Sequence, residues 1–308
     1  MHSIKTYFQL LRVHHYIKNV IIYIPLFFAE KLIDFSLLAS VTLGFCVFSL
    51  AASIVYIFND IHDIEKDRLH IKKCTRPLAS GKIMSSRAVL ILIILYVILV
   101  ILLFLLKLFG DMSYYKILWL FGLLVLYLGL NIAYSRRLKN FPIIDVTILA
   151  SGYVIRVLFG SVIIGADVSP LLYLFITTGA YYLGFGKRRN EMVNNSGSNT
   201  RGVLRFYSQS FLDKNMYVCQ ALCIMFYALW SIDSKTTARF QTSAFIYTVP
   251  LIFLIFLKYS LNIEKNTDGD PTSVLLNDRI LQILSGIYVI CAFCIIYFKN
   301  SIFGNLYE

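Results

Sequence analysis

Hydrophobic positions in this 308-residue chain run in long unbroken blocks instead of alternating with polar ones. Blocks near 17–33, 36–58, 88–109, 114–134, 143–165, 170–186, 215–232, 243–262 and 280–299 are rich in Leu, Ile and Phe. Each approaches the ~20 residues that cross a bilayer. Nearly all lack both the period-2 alternation of a half-buried strand and the one-sided stripe of a soluble helix, which fits lipid-facing helices. Helix is the expected conformation, because backbone polar groups find no water in the hydrocarbon core. The blocks predict about nine transmembrane helices. The first is weakened by Pro25 and the sixth is short. Residues 1–19 hold Lys5, Arg12, His14, His15 and Lys18 without a signal-peptide hydrophobic region. They read as an interfacial helix with Ile4, Phe8 and Leu11 on one side.

Composition agrees with this pattern. The chain is 58% hydrophobic and 15% charged, against about 45–50% and roughly 25% for a soluble domain. A water-soluble fold, a disordered tail and a collagen are excluded. The net charge of +12 is unevenly spread: 22 of the 29 Lys and Arg lie in 1–19, 59–87, 135–142, 187–214 and 258–279, alternate segments that nine spans place on one side of the membrane. The positive-inside rule makes that side cytoplasmic, with a cytoplasmic N-terminus. The expectation is one transmembrane catalytic domain over 1–308, all-α and multi-pass in the inner (plasma) membrane, with no nucleic-acid partner and its oligomeric state open. Cys291 and Cys294 have C-x-x-C spacing but no nearby His or carboxylate, and read as small residues between helices.

Chemistry concentrates in the cytoplasmic segments. After the second block comes Asn59-Asp60-Ile61-His62-Asp63-Ile64-Glu65-Lys66-Asp67-Arg68. Continued as a helix, this segment puts Asn59, Asp60, Asp63 and Asp67 within roughly 100° of one face. Like charges there repel, and a divalent cation would remove the penalty; carboxylate and amide oxygens suit Mg²⁺. The bland alternative is a solvated loop neutralised by Lys66 and Arg68. Lys72, Lys73, Arg76, Lys82, Lys139 and Lys187-Arg188-Arg189 add cations on the same side, a combination suited to diphosphate handling. Asp145 and Arg156 lie at membrane depth, where charge is a functional signal by default. They are about 16 Å apart by helical rise, so each needs another partner.

These residues resemble a known family. Asn59-Asp60-x-x-Asp63-x-x-x-Asp67-Arg68-x-His70, then Lys73-x-x-Arg76-Pro77 and Ser80-Gly81, is similar to the first aspartate-rich signature of the UbiA intramembrane prenyltransferase superfamily. Further segments look like its decaprenyl-phosphate phosphoribosyltransferase branch. They are Lys18-Asn19, Tyr134-Ser135-x-x-Leu138-Lys139, Asp145-Val146 with Ser151, Gly152 and Arg156, Lys187-Arg188-x-x-Glu191, Thr200-Arg201 with Tyr207, and Asp270-Pro271 ahead of Asp278-Arg279. Two departures stand out. Ile71 replaces a usual proline, and the second aspartate-rich motif of typical superfamily members is replaced by Lys187-Arg188-Arg189-Asn190-Glu191.

The resemblance implies a UbiA-like helical bundle with a cytoplasmic-side active site. It implies transfer of 5-phosphoribose from phosphoribosyl pyrophosphate (PRPP) to a polyprenyl, decaprenyl-type phosphate, for cell-envelope glycolipid precursors. Asn59, Asp60, Asp63 and Asp67 would hold Mg²⁺ on the pyrophosphate, the three aspartates serving catalysis. Lys18, Tyr56, Lys73, Arg76, Lys139 and Arg156 would bind PRPP, with Tyr56 toward the ribose. Lys187, Arg188 and Arg201 would hold the lipid phosphate. The main rival is a prenyltransferase moving an isoprenyl group from its diphosphate to an aromatic or other acceptor, which the missing second motif disfavours. A transporter would need paired broken helices and midplane charge, and most charge here lies at the boundary.

Overall fold

A computed structural model describes residues 4–69, 73–110, 112–194, 202–265 and 270–298. Among the described residues there is no strand. The α-helices are α1 (Ile4–Leu11), α2 (Ile24–Phe28), α3 (Phe35–His62), α4 (Ile64–Arg68), α5 (Ser85–Phe109), α6 (Tyr114–Arg136), α7 (Ile144–Ile164), α8 (Pro170–Asn194), α9 (Gln209–Ile232), α10 (Ser234–Phe240), α11 (Val249–Lys265), α12 (Pro271–Asn277) and α13 (Arg279–Tyr297).

Among the described residues, seven segments are long and apolar enough to cross a membrane: α3, α5, α6, α7, α9, Ala244–Lys265 and α13. The two expected spans outside this set are the two weak ones. Residues 13–23 form a 3₁₀ helix, followed by the short α2 with Pro25 in its first turn. Proline fits there because that N–H has no intrahelical partner. Helix α8 spans 25 residues, about 37 Å at ~1.5 Å per residue, but its C-terminal part is the polar run Lys187–Glu191. In α1, expected to be interfacial, Ile4 and Phe8 are exposed while Leu10 is fully buried.

The chain divides into two compact units, with the division inside α7. Unit 1 is 1–139 with 155–167. Helix α3 is its centre, burying Val41, Val47, Phe48, Ala51, Ile54 and Ile57. Small residues allow close approach, as expected where helices cannot rely on a hydrophobic drive. A Cβ on Gly160 would lie 2.1 Å from the Ile22 carbonyl oxygen, and one on Gly44 would lie 2.3 Å from Ile163 Cδ1. Helices α5 and α6 leave many large apolar side chains exposed, Val100, Phe104 and Leu118 among them, as lipid contact requires. Unit 2 is 140–154 with 168–308. Its core joins Val146, Tyr182, Phe185, Met216, Tyr259, Ile263 and Leu281. Gly184 packs against Val146 and Gly186 against Ile263.

Candidate active site

The acidic motif closes α3. Asn59 and Asp60 lie in its last turn, Asp63 terminates it, and α4 carries Asp67. The expected helical spacing persists across the break: the Asp63 N–H donates to the Asn59 carbonyl at 2.9 Å and the Asp67 N–H to the Asp63 carbonyl at 2.8 Å.

The repulsion expected along this face is relieved differently from the expectation. Arg12 Nη2 donates to Asp60 Oδ1 at 2.6 Å. Arg76 Nη1 donates to the same oxygen at 3.2 Å and to Asp67 Oδ2 at 2.6 Å. Both aspartates are buried. Asp60 and Asp67, expected as metal ligands, are thus occupied by two guanidinium groups, and Arg76, expected on PRPP, bridges them. Sequence patterning gives Arg12 no role beyond topology. Its backbone is left-handed (φ 52°) and its guanidinium lies 4.6 Å over the Tyr56 ring. Tyr56, expected at the ribose, sits on the α3 face one turn before the motif, with the His15 ring on it as well.

Asn59 and Asp63 remain. Asn59 Oδ1 is buried with no hydrogen-bond partner. Asp63 is partly exposed and its ion pair is with Lys66, a solvent-exposed side chain 3.9 Å away. Among the described residues, no three His, Cys, Asp or Glu converge as a self-sufficient metal cluster. An orphaned amide oxygen beside a lightly engaged carboxylate nevertheless fits Mg²⁺, which keeps waters and shares its shell with substrate phosphates.

Deeper in unit 1, Arg156 is buried. Its Nε donates to Asn19 Oδ1 at 2.7 Å, and Asn19 Nδ2 donates to Ser49 Oγ at 2.9 Å. The guanidinium lies 4.9 Å over Phe48 and 5.2 Å over Tyr127. Asn19 in the Lys18-Asn19 pair therefore orients Arg156. Lys18, Lys73 and Lys139 are half-buried, the last two in 3₁₀ turns at Lys73–Thr75 and Leu138–Asn140. All ten residues expected at the metal and PRPP fall in unit 1.

Unit 2 holds the basic segment. Asp145 is fully buried; its Oδ2 accepts from Arg188 Nε at 2.6 Å and its Oδ1 from Tyr207 Oη at 2.6 Å. Arg188 also donates to Glu191 and has no exposed surface. Expected at the lipid phosphate, Arg188 is instead an internal counterion: a buried Asp145 must be paired. Tyr207 also accepts from the Ile143 N–H, tying down a β-branched residue at φ 70°, a rare and strained backbone. Burial and the bond to Asp145 push the Tyr207 hydroxyl well above the ordinary tyrosine value, which keeps it a donor. Arg189 bonds Asp213 at 3.0 Å. Lys187 is the partly accessible member of the trio, its Nζ 3.3 Å from Asp270 Oδ1. Arg201 lies outside the described residues.

The sequence model of the UbiA prenyltransferase family matches residues 20–286. An uncharacterized protein of Sinorhizobium fredii, y4nM, is 28% identical over 285 residues, covering 90% of this chain and 53% of that protein, so the chain spans about half its length. Decaprenyl-phosphate phosphoribosyltransferase of Mycobacterium tuberculosis is 27% identical over 252 residues, covering 80% of this chain and 78% of that one. A UbiA homologue from Archaeoglobus fulgidus bound to GPP and Mg²⁺ shares the fold, with a TM-score of 0.66 at 19% identity over 94% of this chain and 99% of that chain. With its helical architecture and apolar spans, the chain is a multi-pass membrane protein that belongs to the UbiA prenyltransferase family.

Proposed function

We propose that the chain transfers 5-phosphoribose from PRPP to a polyprenyl phosphate and releases pyrophosphate. The observation that carries this reading is the chemistry of the segment 187–191: an accessible Lys187 beside two committed arginines, with no second carboxylate-rich metal motif. One acidic site and one cationic site suit two phosphorylated substrates. The decaprenyl-phosphate phosphoribosyltransferase of M. tuberculosis supports the same choice as a relative.

Asn59 and Asp63 are the residues that would hold Mg²⁺. When bound, the ion offsets the charge that builds on the pyrophosphate leaving group. Asp60 and Asp67 fix Arg12 and Arg76, which face the same motif as cations. Arg156, oriented by Asn19, together with Lys18, Lys73 and Lys139 offsets the remaining phosphate charge. Lys187 holds the lipid phosphate. One of that phosphate's oxygens attacks ribose C1, the bond from C1 to the pyrophosphate oxygen breaks, and the electron pair leaves with pyrophosphate. A phosphate monoester is anionic at neutral pH, so no general base is required; the protein contributes positioning and preorganised charge. We place the site at the cytoplasmic side of an inner membrane, with a cytoplasmic N-terminus.

Membranes containing the chain, given PRPP labelled in the ribose and a polyprenyl phosphate, are expected to form a labelled chloroform-soluble product that EDTA abolishes. Label entering the organic phase only from a prenyl diphosphate, in the presence of an aromatic acceptor, would replace this reading with prenyl transfer.

A further inference from the structure

The hydroxyls of unit 2 are unevenly satisfied. Tyr182 Oη pairs with Ser260 Oγ at 2.7 Å, and that serine donates onward to Gln220. Tyr227 Oη pairs with Thr248 Oγ1. Two other hydroxyls break the pattern. Tyr259 Oη and Thr272 Oγ1 are buried with no hydrogen-bond partner, on residues only 7% and 6% exposed. Buried hydroxyls normally find a partner, and one left without it signals an absent ligand or water.

Both lie on segments that meet at the Lys187–Asp270 pair. Thr272 is two residues from Asp270, and its N–H donates to Asp270 Oδ2. The Tyr259 ring packs at a tilt against Tyr182, five residues before Lys187 on α8, and Asp270 is among the ionisable groups whose field reaches its hydroxyl. One turn further along α11, Ile263 packs on Gly186, the residue before Lys187. Two unspent hydroxyls and an ammonium therefore lie on the segments that meet around Asp270. A phosphate monoester, with three strongly accepting oxygens, can accept from both hydroxyls and from the ammonium.

We propose that Tyr259 and Thr272 join Lys187 in binding the phosphate monoester group of the lipid substrate. The inference rests on the reading of Lys187 as the lipid-phosphate residue, and adds two ligands to it.

Thermal unfolding of the purified full chain in detergent tests it, with farnesyl phosphate, inorganic phosphate and PRPP as separate probes. Tyr259→Phe and Thr272→Val are expected to unfold at the wild-type temperature without ligand, since each removes a hydroxyl that bonds nothing. Each should need roughly tenfold more farnesyl phosphate for the same stabilisation, as loss of a hydrogen bond to a charged group implies, with the PRPP response unchanged. A lower unfolding temperature without ligand assigns the hydroxyl to structure, such as an internal water, and overturns the proposal. If Lys187→Ala loses the farnesyl phosphate response while both hydroxyl variants keep it, the proposal fails and the Lys187 reading stands. If Lys187→Ala also responds as wild type, or the wild type responds to no phosphate, both fail. Inorganic phosphate matching farnesyl phosphate, with both variants impaired, keeps the subsite but refutes its assignment to a lipid.

Discussion

Lys187 and Arg188 are neighbours in the chain with opposite environments, and their substitutions should fail in opposite ways. Arg188 has no exposed surface and neutralises Asp145 and Glu191. Removing one partner of a buried pair leaves an uncompensated charge and costs about 3–5 kcal/mol. Arg188→Ala is thus expected to lower the unfolding temperature sharply and cut the yield of folded protein. Lys187→Ala, at a partly open pair with Asp270, should leave the unfolding temperature nearly unchanged and raise the KM for the lipid phosphate far more than that for PRPP. Equal KM losses with unchanged stability in both variants would contradict the division. None of it is legible in the run Lys187-Arg188-Arg189, because successive helical residues point about 100° apart and only Asp145, 43 residues away, decides which is buried. The same holds at the acidic motif. Spacing placed Asn59, Asp60, Asp63 and Asp67 on one face, but Arg12, 48 residues from Asp60, carried no local signal. Local spacing alone therefore does not separate the aspartates paired with arginine from Asp63 and from Asn59, whose amide oxygen is left without a partner.

At the scale of elements, long apolar runs announced most helices well, because a bilayer demands length and leaves helix as the open-ended solution. Where a run was interrupted, the outcome depended on packing. The first block contains Pro25, which warned of a break, yet the 3₁₀ helix over 13–23 also reflects contacts made far along the chain. The backbone of Ile22 abuts Gly160 of α7 so closely that a Cβ there would sit 2.1 Å from its carbonyl oxygen. Backbone cannot rotate away as a side chain does. Gly160→Ala is expected to cost about 1–3 kcal/mol, the usual penalty of overpacking, read as an earlier loss of the monodisperse peak when detergent-solubilised protein is heated before size-exclusion chromatography. Gly44→Ala has a comparably short contact, but with Cδ1 of Ile163, the tip of a flexible side chain. It should cost less. The reverse order would mean that the 3₁₀ segment yields more readily than a core isoleucine.

For the molecule as a whole, membrane topology turns on α8. Its length suffices to cross, but its C-terminal run of Lys187, Arg188, Arg189 and Asn190 keeps it out of the set of plainly apolar spans. Burial resolves the apparent conflict. Arg188 is paired inside the protein, Arg189 reaches Asp213 and Glu264, and Lys187 reaches Asp270. Those charges therefore do not face hydrocarbon, and the apolar first two-thirds of α8 is free to span. The basic segments flanking the spans then argue for a cytoplasmic C-terminal end of α8. Asp167 and Arg205 are exposed positions on either side of this helix. With Asp167→Cys and Arg205→Cys made separately, and labelling of the parent chain's own cysteines as background, a membrane-impermeant maleimide should reach position 167 in intact cells and position 205 only in inverted vesicles. Labelling of both from one face would mean that α8 does not cross. The alternation that assigns 22 basic residues to one side would then have to be redrawn from α8 onward, moving Lys235 and Arg239 to the cytoplasmic face.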